Sequence, residues 1–201
     1  MEWLRDRGYR PIPVSQVLEP PSEGRPIAIT FDDGYENFFL YALPVLVRLG
    51  FSATVFLVTN HLGGVNTWDI AHGDVSERLM TRSQACEAQE AGIELGSHTV
   101  DHVDLAAAAP TEAWRQITES RARLADLLGR AVTTFCYPYG RKTPEVRDMV
   151  ERAGYRLACG TQKGPNTHDT DPFDLRRVNV RRDTAVPILS YKLRRDLGRR
   201  P

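Results

Sequence analysis

Two adjacent carboxylates, Asp32 and Asp33, close an apolar stretch that reads Ile27-Ala-Ile-Thr-Phe-Asp-Asp-Gly34. Two histidines, His98 and His102, follow a second such stretch, Ile93-Glu-Leu-Gly-Ser-His-Thr-Val-Asp-His102. His-x-x-x-His can bring two imidazoles to one side of a helical turn or tight loop, where they suit a common metal ion. Alone, that spacing is weak evidence, and an Asp-Gly pair often does no more than close a turn or cap a helix. Together the four residues say more. Neighbouring carboxylates beside a buried strand repel each other and need a compensating cation. A metal held by one of them, with both histidines, supplies that cation and leaves the other carboxylate free to face a bound water. The chemistry so described is hydrolysis: the ion polarises a carbonyl and acidifies water, the free carboxylate accepts a proton, and a backbone N–H steadies the oxyanion. The segment Phe135-Cys-Tyr-Pro-Tyr-Gly140, stiffened by Pro138 and turned by Gly140, is the candidate for that N–H. Its tyrosines, Tyr137 and Tyr139, are candidates to wall a groove and stack on sugar rings.

For these groups to meet, strand ends must gather on one side of a sheet. Period-two and apolar runs predict strands at 26–31, 53–58, 93–97, 132–137, 155–159 and 176–181. Helical periodicity predicts helices at about 36–49, 82–91, 111–129 and 143–153, after a short N-terminal helix at 2–7. Phe38, Tyr41, Ala42, Val45, Leu46 and Leu49 share one stripe of the first of these, and Thr143-Pro144 resembles an N-terminal start signal for the last. Residues 11–25 hold four of the 13 prolines and read as a connecting segment. Gly50, Gly92, Gly129 and Gly154 each follow a helix and precede a strand, a repeated stop signal. Alternation of this kind gives a parallel sheet covered by helices, with every strand's C-terminal end on the same side. Asp32, Asp33, His98, Tyr137 and Tyr139 all fall at or just past such ends, where α/β sites form.

The bulk composition is consistent with this. A chain of 201 residues, 41% hydrophobic, is one domain by default and can bury a sizeable core. Lys+Arg and Asp+Glu are 26 each, so no basic surplus points to nucleic acid. Three cysteines, Cys86, Cys136 and Cys159, without C-x-x-C spacing give neither a disulfide framework nor a cysteine zinc site. No apolar run approaches the roughly 20 residues that span a bilayer, and the charged first ten residues lack the apolar stretch of a signal peptide. The compartment is left open. The basic run from Tyr191 to Arg200 reads as a solvated helix end, with peripheral contact to an anionic membrane as the alternative.

Thr30-Phe-Asp-Asp-Gly34, His98-Thr-Val-Asp-His102 and Tyr137-Pro-Tyr-Gly140, in this order, resemble the motifs of the NodB-homology polysaccharide deacetylases. The form of the third motif resembles the branch that deacetylates biofilm glycans. The resemblance spans nearly the whole chain. It implies a distorted (β/α)7 barrel and hydrolysis of N-acetyl, less often O-acetyl, groups on an amino-sugar polymer. It implies Asp32 as base, Asp33, His98 and His102 as ligands of a divalent metal (Zn2+ first, Co2+ or Ni2+ as alternatives), and the Tyr139 amide as oxyanion donor. Tyr137, Pro138, Tyr139 and Trp68, the last in a loop that could lie over the site mouth, are the expected sugar contacts.

Two departures accompany the resemblance. Many members carry an Arg in the third motif that pairs with the base, where this chain has Cys136; Arg181 or Arg182, near the end of the last strand, is a candidate substitute, against the favoured reading of a solvated arginine face. Many also carry a C-terminal Leu-x-His that serves as general acid, and no histidine follows His168 here. In the related branch an equivalent histidine lies near the N-terminus, so residues upstream, including a first strand, are expected to be missing. Loss of a general acid costs on the order of 10²–10⁴-fold in rate. His61, His72 and His168 are weak candidates to replace it. A glycan-binding module with impaired catalysis and a small-molecule amidohydrolase of the same fold are the competing readings.

Overall fold

The computed structural model describes residues 1–20, 23–70, 73, 75–181 and 183–196. Seven strands are present among them: β1 (Tyr9–Ile12), β2 (Arg25–Ala28), β3 (Thr30–Phe31), β4 (Thr54–Leu57), β5 (Glu94–Ser97), β6 (Thr134–Cys136) and β7 (Leu157–Cys159). Every pairing between them is parallel. β3 to β7 form one sheet in strict chain order, and β1 pairs with β2. Within each sheet every strand lies beside its predecessor and the order never reverses, which is the winding of a (β/α) barrel rather than of a doubly wound sheet. The helices are α1 (Glu2–Asp6), α2 (Leu43–Leu49), α3 (Thr67–Ile70), α4 (Arg82–Glu90), α5 (Pro110–Leu128), α6 (Pro144–Arg152) and α7 (Val186–Asp196). None of them is long and apolar enough to cross a membrane.

Alternation along the strands sorts the core into two faces. Val55, Leu57, Leu95, Phe135 and Ala158 pack outward with Leu46, Ile117, Leu124 and Val150 of the covering helices. Phe56, Cys136, Leu157 and Cys159 turn to the other face, together with Leu175 and Val14. The chain closes that second cluster from below. Val14 N–H donates to Thr54 Oγ1 at 2.9 Å and Ser15 N–H to Glu94 Oε2 at 3.3 Å, at the N-terminal ends of β4 and β5. The C-terminal ends are left for the site. Gly96 is glycine because a Cβ there would sit 2.6 Å from the Phe56 ring and 2.7 Å from Thr134 Oγ1.

Most expected elements form, and the exceptions have physical causes. The apolar run at 26–31 is split at Ile29 because its two halves serve different partners: β2 pairs with β1, and β3 with β4. The expected connecting segment begins inside β1, whose Pro11 is tolerated because this strand has a neighbour on one side only. No strand forms at 176–181. Past β7 only Leu175 bridges back to Cys159, and the segment then leaves the sheet, Arg177 N–H donating to Gln162 O at 2.8 Å. Before α2, residues Phe38–Ala42 form a π-helical turn. Its extra residue per turn rotates the face, so Phe38 and Leu46 are buried while Tyr41, expected on the same stripe, is exposed. Thr143 caps α6 through Oγ1, with Pro144 next to it as expected, and Gly50 and Gly129 end α2 and α5 in the left-handed conformation. Cys136 and Cys159 are buried and Cys86 partly so, all three as free thiols. Of the basic C-terminal run, residues 197–201 lie outside the described residues.

Gly96→Ala is expected to destabilise the fold by about 1–3 kcal/mol through overpacking against Phe56 and Thr134. A lowered urea midpoint with an unchanged m-value is the signature to look for.

Candidate functional site

The loops after β3, β5 and β6 meet at the C-terminal mouth of the sheet. Asp33 Oδ1 lies 3.3 Å from His98 Nε2 and 3.2 Å from His102 Nε2. The three ligand atoms fall within 4.8 Å of one another. Asp33 Oδ1 is buried and makes no properly formed hydrogen bond. A buried carboxylate oxygen that two imidazole nitrogens approach without a good hydrogen bond is a donor set shaped for a cation. Protonation shows the same tension. Burial pushes Asp33 up, but the two imidazoles overcome it and hold the carboxyl well below its ordinary range. Burial also disfavours the charged imidazoles. At His98 the neighbouring Cys136 and Asp33 outweigh it and raise the pKa, whereas His102 falls, because the charge on His98 adds to its burial. A divalent ion held by the three groups would compensate the Asp33 charge with both imidazoles neutral.

Each histidine is oriented differently. His98 is fixed by a 2.7 Å hydrogen bond from Nδ1 to the Cys136 carbonyl, which leaves Nε2 to face the centre. His102 is fixed by rings: Trp68 stacks on it at 4.5 Å and 25°, and Tyr139 meets it edge-on at 4.7 Å. The loop between the histidines is not a helix. His102 N–H donates to Thr99 Oγ1, and Gln116, fully buried on α5, accepts from the N–H groups of both Val100 and Asp101 at 2.9 Å. Positive-φ backbone gathers at this place. Among the described residues, the four non-glycine residues with positive φ are Asp33, Thr99, His102 and Tyr139. Conformations of this kind cost of order 1–3 kcal/mol each and persist where the surroundings fix them. Gly34, also at positive φ, must be glycine because a Cβ would lie 2.5 Å from Leu57 Cδ2.

Asp32 is paired separately. Arg177 grips it bidentately, Nη1 to Oδ1 at 2.7 Å and Nη2 to Oδ2 at 2.8 Å. The guanidinium is itself anchored, donating through Nε to Gly160 O at 2.9 Å and contacting Thr30 Oγ1 and Cys136 Sγ at 3.2 Å. Burial pushes the Asp32 carboxyl up, and Arg177 more than reverses that, so it stays ionised below its ordinary range. Asp32, His98 and Cys136 also come within 4.8 Å of one another, but Arg177 already occupies both oxygens of Asp32 and contacts the thiol. The Asp33–His98–His102 set is therefore the one that fits an ion.

Some expected site residues lie elsewhere. Arg177, not Arg181 or Arg182, stands opposite Asp32: Arg181 is exposed, with its N–H bound to Thr184 Oγ1, and Arg182 lies outside the described residues. The reading of 176–181 as a regular strand hid this, since it made the arginines look like a solvated face. Tyr137 cannot stack on a sugar, because it is 1% exposed and its hydroxyl donates to Phe173 O at 3.0 Å. Pro138 is buried with it. Trp68 is 8% exposed and spends a ring face on His102 rather than on the mouth. Tyr139, 46% exposed, is the aromatic side chain that does reach the opening. His61 packs edge-on against Trp68, His168 is exposed beside Asp169, and His72 lies outside the described residues. The orienting role of Gln116 had no signal in the sequence beyond its place on the apolar face of α5.

Comparison with known proteins adds context to this geometry. Residues 19–158 match the family model for polysaccharide deacetylases. YxkH of Bacillus subtilis, whose name places it among polysaccharide deacetylases, is 31% identical over 186 residues, which is 90% of this chain and 62% of that protein. The poly-β-1,6-N-acetyl-D-glucosamine N-deacetylase of Staphylococcus epidermidis is 24% identical over 94% of this chain and 68% of its own length. The chain thus spans about two thirds of the length of these relatives. Among solved structures, the Streptococcus pyogenes deacetylase PplD, in complex with acetate, superposes with a TM-score of 0.80 at 22% identity, covering 95% of this chain and 82% of that one. IcaB from Ammonifex degensii superposes with a TM-score of 0.77 at 22% identity over 95% and 84%. These likenesses establish the barrel-type fold expected from the sequence.

Two substitutions separate the paired carboxylates. His102→Ala is expected to abolish tight Zn2+ binding in isothermal titration. Arg177→Gln is expected to leave Zn2+ stoichiometry near that of the unmodified protein, since its partner is Asp32. Equal loss of zinc in both variants would refute the division.

Proposed function

The chain belongs to the polysaccharide deacetylase family, and on that footing we propose that it hydrolyses N-acetyl groups of an amino-sugar polymer. The observation that carries the reading is the unequal pairing of two neighbouring carboxylates. Asp33 faces two imidazoles in a set that fits a divalent ion, while Asp32 is held apart, ionised, by Arg177. A module that only binds glycan has no use for a second, separately tethered carboxylate. The relatives named as poly-β-1,6-N-acetyl-D-glucosamine N-deacetylases support an N-acetylated glucosamine polymer as the substrate class.

In this proposal Asp33, His98 and His102 hold the ion, with Zn2+ as the first choice for a two-nitrogen, one-oxygen set and Co2+ or Ni2+ as alternatives. A bound ion of this kind polarises the acyl carbonyl and lowers the pKa of water at neutral pH. Asp32 is the general base. Arg177 occupies one lone pair on each of its oxygens, fixes the carboxylate plane, and leaves further lone pairs to accept a proton. The turn Tyr137–Arg141, closed by the hydrogen bonds from Gly140 N to Tyr137 O and from Arg141 N to Pro138 O, presents the Tyr139 amide as donor to the developing oxyanion. The exposed Tyr139 ring is the sugar contact at the mouth.

Acetate release from N-acetylglucosamine oligomers, with Zn2+, Co2+ or Ni2+ supplied, tests the proposal. Asp32→Asn is expected to reduce turnover by about 10²–10⁴-fold while zinc content stays the same. An Asp32→Asn variant as active as the parent would remove Asp32 from the role of base. Chelation is expected to stop acetate release and added Zn2+ to restore it.

A further inference from the structure

Beyond the mouth described above lies a cavity of about 410 Å³, lined by Lys163, Val178, Asn179, Arg181, Asp183, Thr184, Lys192 and Arg195. Its charge is unlike that of the chain as a whole. The protein carries equal numbers of acidic and basic residues, yet four cationic side chains meet a single described carboxylate, Asp183, around this space. Two of the chain's three lysines are among them. A cleft lined by one sign of charge concentrates counter-ions of the other sign, and the volume lies within the range of small-ligand sites.

The cavity is framed by the segments that hold the base-pairing arginine. Arg177 N–H donates to Gln162 O at 2.8 Å, and the next residue on each side, Val178 and Lys163, lines the cavity wall. The far wall is α7, whose Lys192 and Arg195 lie one turn apart. Lys192 Nζ donates to Asn179 O at 2.8 Å and ties that helix across the opening. The cationic space therefore adjoins the loop that carries Arg177 at the sheet's C-terminal side.

We infer that this cavity is a subsite for a phosphate group borne on the glycan chain, so that the polymer presented to the site is anionic rather than neutral. This rests on the deacetylase reading above. Two lysines and two arginines match a phosphate better than a lone carboxylate. Lysine supplies a compact charge and arginine a planar fork for the oxygens. The position beside Arg177 favours a substituent of the substrate over an unrelated membrane headgroup.

The test combines binding and turnover at constant ionic strength. Inorganic phosphate is titrated by ³¹P NMR and thermal shift into the zinc-loaded protein and into Lys163→Gln/Arg181→Gln; Lys192 is left intact because it holds α7. Acetate release is measured on an N-acetylglucosamine oligomer and on the same oligomer carrying phosphate monoesters on its free ring hydroxyls. Saturable phosphate binding is expected, weakened at least tenfold in the double variant. KM for the phosphorylated oligomer is expected to rise by a similar factor, with turnover of the neutral oligomer unchanged. Absence of saturable binding, or equal binding by the variant, overturns the inference. Phosphate binding without any effect of oligomer phosphorylation on KM overturns the glycan assignment in favour of a small free phosphate. Variant-dependent binding to phosphatidylglycerol vesicles with equal KM for both oligomers overturns it in favour of a lipid surface. If neither oligomer releases acetate, the deacetylase reading fails. Co-sedimentation of the phosphorylated oligomer with the parent protein but not the double variant then still decides the subsite.

Discussion

Two carboxylates on consecutive residues cannot both stay charged in a partly buried site unless each has a cation of its own. Asp32 and Asp33 meet this constraint on opposite sides of the same backbone. Arg177 reaches Asp32 from the segment after β7, and two imidazoles from the loop after β5 surround Asp33 Oδ1. The division of labour follows from this. A carboxylate matched by a guanidinium stays ionised and keeps lone pairs to spare, while one faced by imidazole nitrogens without a proper hydrogen bond offers an oxygen that an ion could complete. Had both been bound by arginine, no donor set fit for an ion would remain, and had both faced histidines, neither carboxylate would be held apart from that set.

Holding this arrangement requires a backbone that the chain would not adopt on its own. Asp33, Thr99, His102 and Tyr139 all take positive φ, in three different loops that converge. The supports are ordinary and local. Gln116 receives two N–H groups of the histidine loop, Thr99 receives a third, and the Cys136 carbonyl holds His98. Gln116 is fully buried on a helix otherwise packed by Ile117 and Leu124, so the rigidity of α5 passes directly into the ligand loop. The small residues are part of the same device. Gly34 lets its turn lie against Leu57, and Gly96 leaves room for Phe56 in the interior.

The third motif departs from the expected pattern at one position. Cys136 stands where many relatives are expected to carry an arginine, and its small side chain leaves space at the end of β6. Arg177 fills that space from the other direction, touching the Cys136 thiol at 3.2 Å on its way to Asp32. The same excursion of the chain that delivers Arg177 also brings Val178 and Asn179 to the wall of the cationic cavity. A segment that forms no strand therefore connects Asp32 to a second region of the surface.

The sequence alone determined the winding and the donor types. Apolar runs alternating with amphipathic helices allow few arrangements other than parallel strands with their ends on one side, and that geometry brings Asp32, Asp33, His98 and His102 to the same mouth. Glycines that end helices and the Thr143-Pro144 start were legible because their effects are local. The tertiary structure decided what depends on contacts between distant segments. The exposure of Tyr137 and Trp68 could not be read from their types, because an aromatic ring serves a core and a sugar face equally well. Arg177 could not be singled out from Arg176, Arg181 and Arg182, since its role depends on where an irregular segment leaves the sheet after a single bridge at Leu175. A charged side chain acquires its partner only when the fold removes both from water together, and spacing along the chain does not encode that.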